Sequence, residues 1–275
     1  MRKEEIENIE TDLLLEAIHK RYGHDFRNYS RGSVKRRIRN ILGKTSYRTI
    51  SEMISAVLHD ESFFQMILYD LSITVSEMFR DPEFFKTLRE QIIPYLKTHP
   101  FVKIWHAGCA TGEEVYSLAI VLREEGFYDR TTIFATDFND MALSKAMEGI
   151  YPLERMKEFT GNYQRSGGTG SFAQYYHTGY DAAILDPSLR KNITFANHNL
   201  VTDGVFSEMH LIICRNVLIY FDKTLQNRVL ILFRDSLIHG GILALGSKEA
   251  LQFSELASDF KTLSEKWKIY QKISQ

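Results

Sequence analysis

Between Trp105 and Tyr116 the chain reads Trp-His-Ala-Gly-Cys-Ala-Thr-Gly-Glu-Glu-Val-Tyr. Gly108 and Gly112 can take dihedrals that a side chain forbids, so a ligand can come close to the backbone here. The apolar run before it, Phe101 to Ala107, predicts a short buried strand. After it, Glu113 to Glu124 places Val115, Leu118, Ala119 and Leu122 at helical spacing. A strand, a glycine-containing turn and a helix N-terminus therefore follow one another, and the free N–H groups of a first helical turn favour an anionic group such as a carboxylate. The chemistry suggested is binding of a nucleotide-like molecule, although an ordinary tight strand-to-helix turn has the same pattern.

No Lys-Ser or Lys-Thr pair follows Gly112, and the spacing is Gly-x-x-x-Gly, so neither the phosphate-cradling loop nor the dinucleotide turn is present. Glu113 and Glu114 would also repel a pyrophosphate. A ligand with a ribose and a positive charge but no phosphate fits better, and S-adenosylmethionine has both. The next apolar run, Thr132–Thr136, ends in Asp137. A carboxylate at the C-terminal end of a strand can accept hydrogen bonds from ribose hydroxyls.

The elements that must position these residues alternate. After the central turn come a strand at Thr132–Thr136, a helix at Asp140–Glu148 capped by Asn139 or Asp140, a strand at His210–Cys214, a helix at Lys223–Ile238 and, beyond Gly240-Gly241, a strand at Ile242–Leu245. That alternation predicts a parallel α/β sheet with helices on both faces. Lys266–Ile273 reads as a last edge strand. Between Tyr151 and Phe195 the rhythm breaks around Ser166-Gly-Gly-Thr-Gly-Ser171, which predicts an insertion whose flanks pair as a small antiparallel sheet.

The first eighty or so residues read as four helices: 9–22 stopped by Gly23, about 30–42 ended by Gly43, and patterns near 47–58 and 61–71. From His24 to Arg48 there are eight Lys or Arg against Asp25 alone, in a chain of formal net charge −1. That predicts a local basic surface able to steer an acidic partner; a solvated helix face is the plainer reading. No aromatic interleaving or nucleic-acid-binding motif accompanies it, so nucleic acid is not the expected partner.

With 275 residues, 44% hydrophobic and 25% charged, the composition is that of an ordinary soluble globular protein. The charged N-terminus, Met-Arg-Lys-Glu-Glu-Ile-Glu, argues against a signal peptide, and no uncharged apolar run approaches a bilayer span. Cys109 and Cys214 read as buried reduced thiols, too few for a zinc site, in a cytoplasmic protein with no metal.

These residues together carry a resemblance. Ser76-Glu-Met-Phe-Arg80-Asp-Pro, the Trp105–Tyr116 run, Ala135-Thr-Asp137, Asn199-Leu200, Cys214-Arg-Asn-Val-Leu-Ile-Tyr-Phe-Asp222 and Gly-Gly-Ile-Leu-Ala-Leu-Gly246 occur in order along nearly the whole chain. In this the chain resembles the CheR family of S-adenosylmethionine-dependent methyltransferases, which esterify glutamate side chains on bacterial chemoreceptors. The resemblance implies a helical domain over 1–80 and an α/β, Rossmann-like methyltransferase domain with a mostly parallel sheet over 81–275. The latter would carry a small antiparallel β insertion at about 151–195. It assigns cofactor contacts to Thr74, Ser76, Arg80, Glu114, Asp137, Asn199, Leu200, Asn216 and Val217, beside the Gly108 turn. Arg80 would lie near the transferred methyl and Tyr220 would line the acceptor channel, so these two are the expected catalytic residues. It likewise implies that the basic helix docks on the cytoplasmic helical domain of a chemoreceptor, through Arg31, Lys35, Arg36 and Arg39.

The chain departs from the family pattern at Thr74 and Ser76, where Asn and Thr are usual, at Met78 in place of an aromatic, and at Gly246-Ser-Lys-Glu249 in place of Gly-His-Ser-Glu. None of these removes a charged cofactor contact. A glutamate acceptor, with a usual pKa of about 4.3, is already ionised at neutral pH and needs no general base. His106, His198 and His210 are accordingly expected to be structural. The same architecture acting on another acceptor, or a non-catalytic cofactor sensor, would share much of this sequence.

Overall fold

The computed structural model describes residues 2–72, 76–251 and 254–274. Two compact units form, Met1–Ile73 with Val217–Val229, and Thr74–Asn216 with Leu230–Gln275. The expected boundary at residue 80 thus falls at 73, and a segment from late in the chain joins the helical unit.

In that unit α1 (Lys3–Tyr22), α2 (Arg31–Lys44), α3 (Ile50–His59) and α4 (Glu61–Leu71) bury one face each. Leu14, Leu15 and Ile18, then Val34, Ile38 and Ile41, then Met53 and Val57, then Phe64, Ile67 and Leu71 form the core. Gly23 caps α1 at φ +80°, its N–H bonded to the His19 carbonyl at 2.8 Å. α1 begins earlier than expected, at Lys3. α2 runs through Gly43 to Lys44, because no left-handed turn forms there and Thr45 serves as the cap in an extended conformation. The late segment is held at Tyr29, which bridges Phe221, with the Ser30 N–H donating to the Tyr220 carbonyl at 2.7 Å.

The second unit is a seven-stranded sheet in the order β6-β2-β1-β7-β8-β10-β9, where β1 is Val102–Ala107, β2 Thr131–Asp137, β6 Ile193–Asn197, β7 Met209–Cys214, β8 Leu237–Leu245, β9 Phe260–Ser264 and β10 Ile269–Lys272. The first five in that order run parallel and the last two join antiparallel. Such a sheet is buried on both faces, which explains unbroken apolar runs such as Leu211–Cys214. α7 (Glu113–Glu124), α8 (Asp140–Glu148) and α10 (Lys223–Ser236) follow β1, β2 and β7, and Asn139 caps α8 by accepting the Ala142 N–H at 3.1 Å. Ahead of β1, Pro82 opens α5 (Pro82–Thr87), which passes through a π turn over Leu88–Ile92 into α6 (Ile93–Leu96).

Three expectations are corrected. The Lys266–Ile273 strand is not at the edge: β10 lies between β8 and β9, a strand the sequence reading missed because its exposed face (Lys261, Thr262, Leu263) has no apolar alternation. The insertion does contain an antiparallel sheet, β3-β5-β4, built from Ile150–Pro152, Ala182–Leu185 and Tyr176–Gly179. It also contains a helix, α9 (Met156–Arg165), whose Met156, Phe159 and Tyr163 are buried at helical spacing. It ends before residue 193, since Ile193–Asn197 pairs with β2 in the main sheet. Within it, Tyr175 donates to Glu124 Oε1 at 3.0 Å, Tyr163 donates to the same oxygen, and Arg89 reaches Glu124, Glu125 and the Ser166 carbonyl, which fixes the glycine-rich turn.

Candidate active site

Strand order reverses at β1, with β2 on one side and β7 on the other. Loops leaving the C-terminal ends of the strands on either side of such a point diverge and leave a crevice. Gly108 follows β1, Asp137 ends β2, Asn199 and Leu200 follow β6, Arg215 and Asn216 follow β7, and Gly246 follows β8. Topology thus gathers residues more than a hundred positions apart in sequence.

The first loop is tight. Gly108 (φ +71°) and Cys109 both donate to the Thr136 carbonyl, at 2.8 and 2.9 Å. Asp137 is half-buried. Its Oδ2 accepts the Ala110 N–H at 2.9 Å and its Oδ1 the Asn139 N–H at 3.0 Å, and with the Phe138 N–H also bound the carboxylate keeps acceptor capacity for one more donor. Burial pushes this carboxyl up from its ordinary value, against the backbone N–H groups of Asn139, Ala110 and Phe138.

The two glutamates at the start of α7 are buried. Glu113 accepts from the Thr111 hydroxyl at 2.6 Å and from the Ser76 hydroxyl, and meets Arg155 at 3.4 Å; burial raises its carboxyl. Glu114 accepts from Arg215 at 2.6 Å through Oε2 and faces His106 Nε2 at 3.2 Å through Oε1. Burial opposes ionisation of Glu114, but Arg215, His106 and Arg80 outweigh it and hold the carboxyl below its usual value. Both oxygens of Glu114 are therefore engaged within the protein.

Arg80 is half-buried. Among the described residues its guanidinium makes no hydrogen bond or ion pair, while its charge helps lower Glu114 and opposes the rise that burial imposes on Glu77. Asn216 stands at φ +61°, and its buried Oδ1 has no partner among the described residues. Its backbone N–H donates to Glu249 Oε2 at 3.1 Å, and the Gly246 N–H donates to the same oxygen at 2.5 Å. A Cβ on Gly246 would lie 2.8 Å from the Asn216 nitrogen, so only glycine fits. Asn199 forms an Asx turn, its Oδ1 accepting the Val201 N–H at 2.9 Å, and Leu200 is buried beside it.

Residues 74–269 match the CheR methyltransferase, SAM binding domain, and residues 9–72 match the CheR methyltransferase, all-alpha domain. The chain belongs to the CheR methyltransferase family. It is similar to putative methyltransferase Cher3 of Pseudomonas putida, with 51% identity over 272 residues, 99% of this chain and 100% of that protein. It is also similar to the chemotaxis protein methyltransferase of Listeria innocua, with 32% identity over 250 residues, 90% of this chain and 92% of that one.

The sheet unit of this CheR methyltransferase is an S-adenosylmethionine-binding domain, and its strand-end residues fit that molecule. Asn216 Oδ1 lacks a donor among the described residues, Asp137 keeps acceptor capacity beyond its three backbone N–H groups, and Gly108 has no side chain to hold a ligand off the turn. Of the expected contacts, Ser76, Arg80, Gly108, Glu114, Asp137, Asn199, Leu200 and Asn216 all belong to this unit. Thr74 lies outside the described residues. Val217 and Tyr220 are counted with the helical unit, where the Arg37 guanidinium sits 5.4 Å from the centre of the Tyr220 ring. Arg215 and Glu249 were not singled out from the sequence. Their signal was available: each is a charged residue beside the end of an apolar strand, where burial forces it to find partners.

The basic helix is less basic than its sequence. Arg39 pairs with Glu7 at 2.5 and 2.9 Å, Arg31 with Asp12, Arg27 with Asp25 and Glu16, and Lys44 with Asp70. Arg37 donates to the carbonyls of Asp70, Leu71 and Ser72. Counting only residues 24–48 left out the acidic face of α1. Of the four expected docking residues, Lys35 and Arg36 have no ion pair among the described residues.

Proposed function

We propose that this protein transfers methyl groups from S-adenosylmethionine to glutamate side chains on the cytoplasmic helical domain of chemoreceptors, giving glutamate methyl esters and S-adenosylhomocysteine in chemotaxis adaptation. The observation that carries this reading is Arg80: a half-buried guanidinium without a protein partner among the described residues is a ready site for a carboxylate. Relatives such as that of Listeria innocua bear the name chemotaxis protein methyltransferase, which supports the same acceptor class.

Bound S-adenosylmethionine supplies a methyl group on a sulfonium; a carboxylate oxygen takes the methyl carbon as the S–C bond breaks, its electron pair going to sulfur. No proton moves, so the chain needs no base. What its residues contribute is alignment and a dry, low-dielectric setting, which favours a step in which opposite charges cancel. In this reading Arg80 orients a carboxylate, Asp137 accepts from the ribose hydroxyls, Asn199 and Leu200 border the adenine, and Asn216 accepts from a ligand donor. Thr74, Ser76, Glu114 and Val217 complete the cofactor set. Tyr220 lines the acceptor channel, and Arg31, Lys35, Arg36 and Arg39 form the docking set, with Lys35 and Arg36 foremost. The cytoplasm is the compartment this acceptor requires.

The test is transfer of labelled methyl to a receptor cytoplasmic fragment, followed by mild base. Carboxyl methyl esters release volatile methanol. Base-stable label would move the function to a nitrogen acceptor, and cofactor binding without transfer would make the protein a sensor. Arg80→Ala should lose most of the transfer activity; wild-type turnover in that variant would sink the assignment.

A further inference from the structure

Arg80 sits between two residues in the left-handed region, Phe79 at φ +53° and Asp81 at φ +54°. Neither is glycine, so this backbone persists only because its surroundings hold it. The Phe79 N–H donates to the Ser117 hydroxyl at 2.9 Å, and the Met78 carbonyl accepts from Asn162 at 3.1 Å. The other side of the segment is held by one side chain. Arg215 donates to the Arg80 carbonyl at 3.3 Å and to Asp81 Oδ2 at 2.5 Å. It is anchored in turn by Glu114 at 2.6 Å and by the Phe84 ring, 4.0 Å from its guanidinium carbon.

The Arg215 side chain is wholly buried, and its Nε has no partner among the described residues. Burying an ion pair in this way brings little net stability, because desolvation cancels most of the attraction. What a planar fork between two carboxylates does supply is fixed geometry, which a lysine cannot reproduce.

We infer that Arg215 is a positioning residue for methyl transfer: bridging Glu114 and Asp81, it locks the Arg80–Asp81 peptide so that the Arg80 guanidinium is presented in a single orientation. Because Arg215 directly precedes Asn216, the same side chain couples the turn after β7 to the Arg80 segment within one unit. The inference rests on the reading of Arg80 as a group that touches substrate.

The experiment compares Asp81→Asn, Arg215→Lys, Arg80→Ala and the double variant Arg80→Ala/Asp81→Asn. It measures kcat and KM on the receptor fragment, S-adenosylhomocysteine affinity by calorimetry, and hydrogen exchange of the Phe79–Asp81 amides. Misplacing one catalytic group should cost Asp81→Asn and Arg215→Lys roughly tenfold to a hundredfold in kcat. Product affinity should stay within about threefold in Asp81→Asn, which leaves Glu114 paired with Arg215, as for a loss confined to the transition state. If Asp81 acts through Arg80, its substitution should cost less than about twofold more in the Arg80→Ala background. Additive losses, or unchanged kcat in both single variants while Arg80→Ala is inactive, would overturn the positioning role alone. An active Arg80→Ala would instead overturn the reading of Arg80. Should the intact protein methylate no receptor fragment, exchange still decides: faster amides in Asp81→Asn support the lock, and unchanged ones refute it. Asp81→Asn leaves Arg215 paired with Glu114, so it keeps the test open if Arg215→Lys does not fold.

Discussion

Gly112→Ala is the perturbation whose magnitude the structure allows to be worked through. Gly112 caps α7 at φ +88°, accepting the Tyr116 N–H at 3.0 Å. An added Cβ would stand 2.8 Å from Ala146 Cβ, 3.2 Å from Ala146 Cα and 3.3 Å from the Tyr151 hydroxyl. Two of these atoms belong to the body of α8, and Tyr151 is tied by its own bond to the Thr111 carbonyl at 2.7 Å, so none can move cheaply. The left-handed conformation costs a non-glycine residue about 1–2 kcal/mol. Overpacking adds about 1–3 kcal/mol. At about 3 kcal/mol in all, the sheet unit's melting transition should fall by roughly 6–12 °C. Gly126→Ala is the matched control: Gly126 also has a left-handed φ, +63°, but its added Cβ meets nothing within 4 Å. It should lose only the conformational share, roughly 2–8 °C. Differential scanning calorimetry of the two variants side by side isolates the packing share. Equal shifts would refute the claim that α8 and Tyr151 close on the turn.

Asn216→Gly keeps the left-handed backbone and removes the orphaned carbonyl, so S-adenosylhomocysteine affinity should fall roughly tenfold, the worth of one hydrogen bond; calorimetric titration showing no change would remove Asn216 from the site. Burial, reinforced by Glu158, holds the Glu77 carboxyl above its usual value. Protonated Glu77 therefore favours the fold below the ordinary carboxylate range, and that contribution is lost as pH rises through the raised value. Glu77→Gln should accordingly melt higher than the parent at pH 7, with the gap closing toward about pH 4, and a gap independent of pH would contradict the assignment. Lys35→Glu with Arg36→Glu should raise KM for the receptor fragment and flatten its salt dependence while cofactor affinity holds, whereas a KM unchanged at low salt would remove α2 from docking.

The sequence by itself determined most of the elements and the turn chemistry, though not α9 or β9. Local spacing set the Gly108 turn, the cap at Asn139, the stop at Gly23 and the strand ending in Asp137, because hydrogen bonding and dihedral limits within a few residues decide such features. The family was legible in motifs that are each short and contiguous in the chain. What the sequence could not show was pairing at long range. That β10 enters between β8 and β9, that α1 carboxylates neutralise Arg31 and Arg39, and that Arg215 joins Glu114 to Asp81 across more than a hundred residues all depend on which surfaces meet. Burial supplies the physical reason. A charge removed from water must take whatever partner the fold brings within about 3 Å, and that partner is chosen by topology rather than by neighbours along the chain.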